Sequence, residues 1–157
     1  MVIDLQNTKR ENEDMARVVR IVNKEPDKKQ KSVGLIAPHR GRVNEEEFPM
    51  VLPQEISTLI TGLKIREATA EDLEKITTPP LIENAAKALA SAGADIIIQC
   101  GTPVVFFKGP GFHKIIVERI EKASNVPAYT MAMAVVDALK RLGVKRESMY
   151  TFLSNQS

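Results

Sequence analysis

The sequence is poor in most of the side chains that build specialised sites. Its 157 residues contain one Cys, two His, two Tyr and no Trp. One Cys cannot form an intramolecular disulfide, and it cannot head the cysteine clusters that hold zinc or iron–sulfur centres. Two widely spaced His make a His-rich metal site a poor expectation, and no HExxH or DxD arrangement occurs. With five Phe as the only other aromatics, a broad stacking platform for sugars or bases is not expected. No charge of one sign dominates: 22 Lys and Arg face 20 Asp and Glu, a net of +2, so neither nucleic acid nor an anionic membrane is implied as a partner. Apolar runs are only a few residues long, far short of the ~20 needed to span a bilayer. The first residues carry acids early and lack the apolar core of a secretory signal, which makes a cytoplasmic location the expectation. Phosphate-cradling loops are missing too, since neither GxGxxG nor GxxxxGK[ST] occurs, so a dinucleotide or ATP is disfavoured.

What is present is one core's worth of apolar residues, 43% of the chain, ordered as alternating strand and helix patterns. Residues 1–31 read as a charged leader, with eight Lys and Arg and six Asp and Glu. Within it, Met15, Val18, Val19 and Val22 share a stripe that fits a short helix from Glu11 to Val22. The texture changes at Ser32. SVGLIAP reads as a buried first strand closed by Pro38, and HRGRVNEEEF as a loop. A helix is expected over Gln54 to Ile60 and a short second strand over LKIREAT. Thr69 with Asp72 resembles a capping box opening a helical stretch, which Pro79 and Pro80 split or kink and Gly93 ends. ADIIIQCGTP is the clearest strand: Ile96, Ile97 and Ile98 are consecutive and β-branched, as in a parallel strand covered on both faces. A helix from Gly111 to Ser124, a strand at VPAYTM, a helix ending at Gly143 and a fifth strand at ESMYTFLS complete the pattern. The expectation is an α/β fold, residues 32–157 forming a single three-layer domain with a four- to five-stranded parallel sheet flanked by helices.

Chemistry concentrates at the carboxyl end of the Ile96–Ile98 strand, the edge where open parallel sheets bind ligands. Gly101 allows close backbone approach. Thr102 offers a hydroxyl and an amide N–H, donors suited to a carboxylate or an enediolate. Cys100 is either a proton carrier or a small buried hydrophobe. Pro38 ends the first strand on the same edge and is expected to fix a pocket wall together with Pro103 and Phe106. Phe106 and Phe107 serve equally well as core packing, His39 and Arg40 as a solvated loop, and Gly101-Thr102-Pro103 as an ordinary turn. His113 is expected on the surface.

VGLIAP at 33–38, ADIIIQCGTP at 94–103, FFKGPGF at 106–112 and VPAYTMAMAVVDALKRLGVKR at 126–146 together resemble the aspartate/glutamate racemase superfamily, most closely its arylmalonate decarboxylase and maleate isomerase branch. The resemblance implies two similar α/β halves with the active site between them, of which this chain corresponds to the first and lacks the second. Racemases and isomerases of the family bring a Cys from each half. In the decarboxylases the first Cys position is Gly, followed by Thr and Ser, and one Cys from the second half delivers the proton. Gly101-Thr102 fits the decarboxylase pattern, Pro103 stands where Ser is usual, and Cys100 lies one position before the usual Cys. The implied function is cofactor-independent decarboxylation of a small malonate-type carboxylate, using no metal. A Cys100-dependent isomerase or racemase and a non-catalytic carboxylate-binding or inactive domain are the alternatives. A homodimer is one way to supply the opposing half.

Overall fold

The computed structural model describes residues 2–4, 18–22, 31–38, 46–65 and 69–144. Their chain order is β1 (Val2–Asp4), β2 (Val18–Val22), β3 (Lys31–Ala37), α1 (Phe48–Val51), β4 (Ile56–Gly62), α2 (Ala70–Thr77), α3 (Leu81–Ser91), β5 (Ile96–Gln99), α4 (Thr102–Phe106), α5 (Phe112–Ser124), β6 (Ala128–Thr130) and α6 (Met131–Arg141). The strands form one sheet in the order β1-β2-β4-β3-β5-β6. From β4 to β6 every pairing is parallel, whereas β2 pairs antiparallel with β4 and β1 antiparallel with β2. This is a single α/β domain with a four-stranded parallel sheet flanked by helices, as the alternating pattern predicts, extended by two antiparallel strands.

Several local expectations are corrected. Val18–Val22 is a strand and not the end of a helix. Its β-branched residues suit a pleated surface, and β4 supplies the ladder. The helix expected over Gln54 to Ile60 is instead β4, with the second strand therefore starting seven residues before LKIREAT. Ile56, Leu59 and Ile60 mimic a helical stripe, but β-branched Ile56, Thr58, Ile60 and Thr61 lie between β2 and β3, and ladder bonds on both sides decide the outcome. The only helix before it among the described residues is α1. The expected fifth strand at ESMYTFLS lies outside the described residues. Other expectations hold. Thr69 caps α2, its Oγ1 accepting from the Asp72 N–H at 3.1 Å. Two helices flank the prolines, and Gly93 and Gly143 follow α3 and α6 with positive φ.

The sheet has two differently built faces. On one, Ile36, Leu59 and Ile97 meet Ile82, Ala85, Ala86 and Leu89 of α3 and Ile116 and Ile120 of α5. Gly34 lies on this face, where an added Cβ would stand 3.1 Å from Ala94 Cβ and 3.2 Å from Leu89 Cδ1, so its bare backbone lets α3 sit close to β3. Arg119 ties the layer together: its Nε and Nη2 donate to the Glu83 carboxylate at 2.6 and 3.0 Å, and its Nη1 donates to Thr77 O at 2.6 Å. Burial, the largest single influence, opposes ionisation of Glu83, but the Arg119 guanidinium, a backbone hydrogen bond and the Lys87 charge together hold the carboxyl below its ordinary range. The other face carries Leu35, Ala37, Ile60 and Cys100, with Phe48 and Met131 packed against them. No helix among the described residues is long and apolar enough to cross a membrane.

Candidate active site

The carboxyl ends of β3 and β5 place the predicted residues. Strand register pairs Ile36 with Gln99, and the Cys100 N–H donates to Ile36 O at 2.8 Å, so the chain just past each strand lies side by side. Pro38 and Gly101 consequently touch. Gly101 has φ +89° and ψ 99°, and a Cβ built there would stand 2.7 Å from Pro38 Cγ. Both facts require glycine: the backbone angle disfavours any L side chain, and the proline ring occupies the space one would need. Pro38 is itself fixed, its carbonyl accepting from Ile65 N–H at 3.2 Å.

Gly101 opens α4, with Thr102 and Pro103 as its first residues. All three are partly exposed. Pro103 suits the start of a helix, where an N–H has no intrahelical acceptor. Among the described residues the Thr102 hydroxyl has no hydrogen-bond partner, and neither do the Gly101 and Thr102 N–H groups. This corner of the fold therefore presents a hydroxyl and two peptide donors beside a rigid proline, a set that fits an oxyanion.

Cys100 sits apart from that set. Strand alternation sends Gln99 to the α3/α5 face and Cys100 to the other, where it is 2% exposed among Leu35, Ala37 and Ile60. Its Sγ lies 3.8 Å from Ile98 O. Burial pushes the thiol up to about 12, so it is neutral at physiological pH. Phe106 is also set apart. It is 45% exposed and lines a cavity of about 630 Å³ between the start of α5 and α6, together with Val105, His113, Met133 and Val136. None of Pro38, Cys100, Gly101, Thr102 and Pro103 lines that cavity. The geometry therefore joins Pro38, Gly101 and Thr102 and leaves Cys100 and Phe106 in other surroundings. His113 is at the cavity wall, and His39 and Arg40 lie outside the described residues.

One residue of the corner escapes sequence reasoning. Gln99 is fully buried, and its Nε2 donates to Cys100 O and, at 3.3 Å, to Gly101 O. An amide closing a run of three isoleucines in a strand read as buried on both faces was the available signal.

Comparison with known proteins fits this geometry. Residues 33–156 match the family model described as arylmalonate decarboxylase. Arylmalonate decarboxylase of Bordetella bronchiseptica is 24% identical over 120 residues, which are 76% of this chain and 49% of that protein. The crystal structure of the maleate isomerase from Pseudomonas putida is similar with a TM-score of 0.64 at 22% identity, over 72% of this chain and 50% of the other. A maleate cis-trans isomerase from Nocardia farcinica gives 0.66 at 22% identity, over 72% and 49%. The relatives thus divide between decarboxylase and isomerase, and the chain spans about half the length of each. The match along residues 33–156 shows that the chain belongs to the arylmalonate decarboxylase family, in the decarboxylase and maleate isomerase branch of the aspartate/glutamate racemase superfamily.

Proposed function

We propose that the chain provides the enediolate-stabilising half of a cofactor-independent site that decarboxylates malonate-type acids. The observation that carries this reading is the Gly101 corner. The isomerases and racemases of the superfamily place a thiol at the position that Gly101 occupies. Here φ is +89° and the Pro38 ring stands 2.7 Å from where a Cβ would be, so no side chain fits. A site with one thiol, brought from the opposing half, matches decarboxylation better than two-thiol chemistry does. Cys100 is a poor substitute, because a buried thiol held near 12 yields almost no thiolate and faces the core.

In this reading the retained carboxylate of the substrate accepts hydrogen bonds from the Gly101 and Thr102 N–H groups and the Thr102 hydroxyl. The C–C bond to the departing carboxylate breaks, CO2 leaves, and its electron pair passes into the enediolate. Those donors gain strength as negative charge grows on the oxygens they face, which lowers the barrier. An acid from the opposing half, or from a second copy of the chain, then protonates the α-carbon.

The test is CO2 release from phenylmalonate, and deuterium incorporation at the α-carbon in D2O, by the wild type and by the Gly101→Ala and Cys100→Ala variants. Amide resonances of Gly101 and Thr102 are followed in the same titration. The expected result is perturbation of both amides and CO2 release that Gly101→Ala lowers about 10²-fold, the usual scale for disturbing an oxyanion donor, while Cys100→Ala retains it. Deuterium exchange at the α-carbon without CO2 release, lost in Cys100→Ala, would favour the isomerase or racemase reading. Absence of both binding and turnover would make the chain a domain without this chemistry.

A further inference from the structure

Gln99 is the polar residue at the end of the otherwise apolar β5, fully buried on the α3/α5 face between its register partners Ile36 and Thr130. Burying an amide without partners is costly, so its hydrogen bonds decide whether the position is tolerated. The side chain does not bridge to a neighbouring strand. It turns forward over its own strand end, where Nε2 donates to two consecutive carbonyls, Cys100 O and Gly101 O. Its Oε1 has no partner among the described residues. The amide is thus committed to the turn on one atom and to nothing on the other.

The consequence follows from peptide planarity. The bonds after Cys100 and Gly101 are trans, the one cis bond among the described residues being Pro79-Pro80. A trans peptide points its N–H opposite to its C=O. Two successive carbonyls drawn towards one buried NH2 therefore turn the N–H groups of Gly101 and Thr102 away from it. Those are the two peptide donors that the described residues leave without partners. Gly101 supplies the permissive backbone, but permissiveness selects no orientation; the Val104 N–H, donating to Gly101 O at 3.2 Å, shares in holding the second peptide, and the Gln99 amide is the group that reaches both.

We propose that Gln99 is a positioning residue that holds the Gly101 and Thr102 peptides in the orientation in which they bind the substrate carboxylate, an inference that rests on the decarboxylase reading for its catalytic consequence. It acts through the turn and touches no substrate. Gln99→Glu separates this role from simple space filling, since the two side chains are nearly isosteric. The ionised carboxylate has no donor and faces two carbonyl oxygens. The protonated acid regains one O–H donor. Burial raises the titration of such an acid, bringing the change into the neutral range.

The experiment has a ligand-free arm and a catalytic arm, both on the full chain between pH 5 and 9. Without ligand, the Gly101 and Thr102 amide resonances of Gln99→Glu are expected to titrate together and to approach wild-type positions at low pH, while those of the wild type stay flat. With phenylmalonate, Gln99→Glu is expected to lose about tenfold or more of its turnover on the alkaline side and to recover it on acidification. Gln99→Met is expected to be impaired at every pH. Amide positions in Gln99→Glu that match the wild type at all pH values, or wild-type turnover in Gln99→Met, would overturn the proposal. If neither variant folds, scalar coupling across the hydrogen bonds from the Gln99 side-chain amide to the Cys100 and Gly101 carbonyls of the wild type decides: detectable coupling supports the proposal, and its absence overturns it. A wild type that neither binds nor turns over phenylmalonate, beside a titrating Gln99→Glu, would sink the decarboxylase reading separately and leave Gln99 as the anchor of the turn alone.

Discussion

The sheet face covered by α3 and α5 and the corner past β3 and β5 are built on opposite principles, although residues of the same two strands supply both. On the covered face every position is occupied. A methyl group at Gly34 would stand 3.1–3.2 Å from Ala94 and Leu89 and press on both, and the Arg119 guanidinium uses all three of its nitrogens within the layer. At the corner the glycine serves a different purpose. Gly101 is needed for its backbone angle and for the nearness of Pro38, and the groups beside it keep donors in reserve. One region stores stability, and the other spends a little of it on pre-set polarity. Substitutions in the first should therefore be read in unfolding curves, and substitutions in the second in ligand binding.

The sharpest break of this contrast is Gly34→Val. Leu89 and Ala94 leave no room for the added carbons, and a loss of about 3 kcal/mol is expected in the urea unfolding free energy. The Gly101 and Thr102 amide resonances of the folded fraction should remain in place. Next comes Arg119→Met, expected to cost about 2 kcal/mol because Glu83 keeps its charge in a partly buried site without its partner. Adding Glu83→Gln should recover part of that loss, and a double-mutant cycle measures how much.

Cys100 gives a prediction in pH. Its thiol is raised from an ordinary value of 9.0 to about 12 in the folded chain. Below 9 both folded and unfolded chains keep the proton, and the stabilisation is fully present. Above it the unfolded chain releases the proton first, so stability falls by about 1.4 kcal/mol per pH unit until the folded thiol also ionises near 12. Denaturation curves between pH 9 and 11 should show this extra slope, and Cys100→Ala should lack it. The smallest stability effect belongs to Thr102→Val. Its partly exposed hydroxyl has no partner among the described residues to lose, so a change within about 0.5 kcal/mol is expected. Phenylmalonate binding should weaken all the same, and an unchanged affinity would remove the hydroxyl from the site.

The parts of the fold legible in the sequence were those whose signals are local. Three consecutive isoleucines marked β5, Thr69 marked the start of α2, and glycines marked the ends of α3 and α6. β4 was hidden because Ile56, Leu59 and Ile60 also satisfy a helical spacing, and only its partners on both sides resolve the choice. β2 was hidden for a related reason, since its pairing with β4 spans some forty residues of chain that no local pattern encodes. At the site, Gly101, Thr102 and Pro38 could be grouped from strand ends alone. The direction of Cys100 depends on counting strand alternation through the turn, and the two hydrogen bonds donated by Gln99 depend on the carbonyl orientations within it.

The two antiparallel strands beyond β4 have a consequence for how the molecule meets its neighbours. They make β4 an interior strand and leave β1 and β6, each three residues long, as the margins of the described sheet. Among the described residues such short margins offer few free ladder groups to a strand from another chain. The seven-residue β3 and β4, which would make far better templates for fibrous growth, are enclosed on both sides.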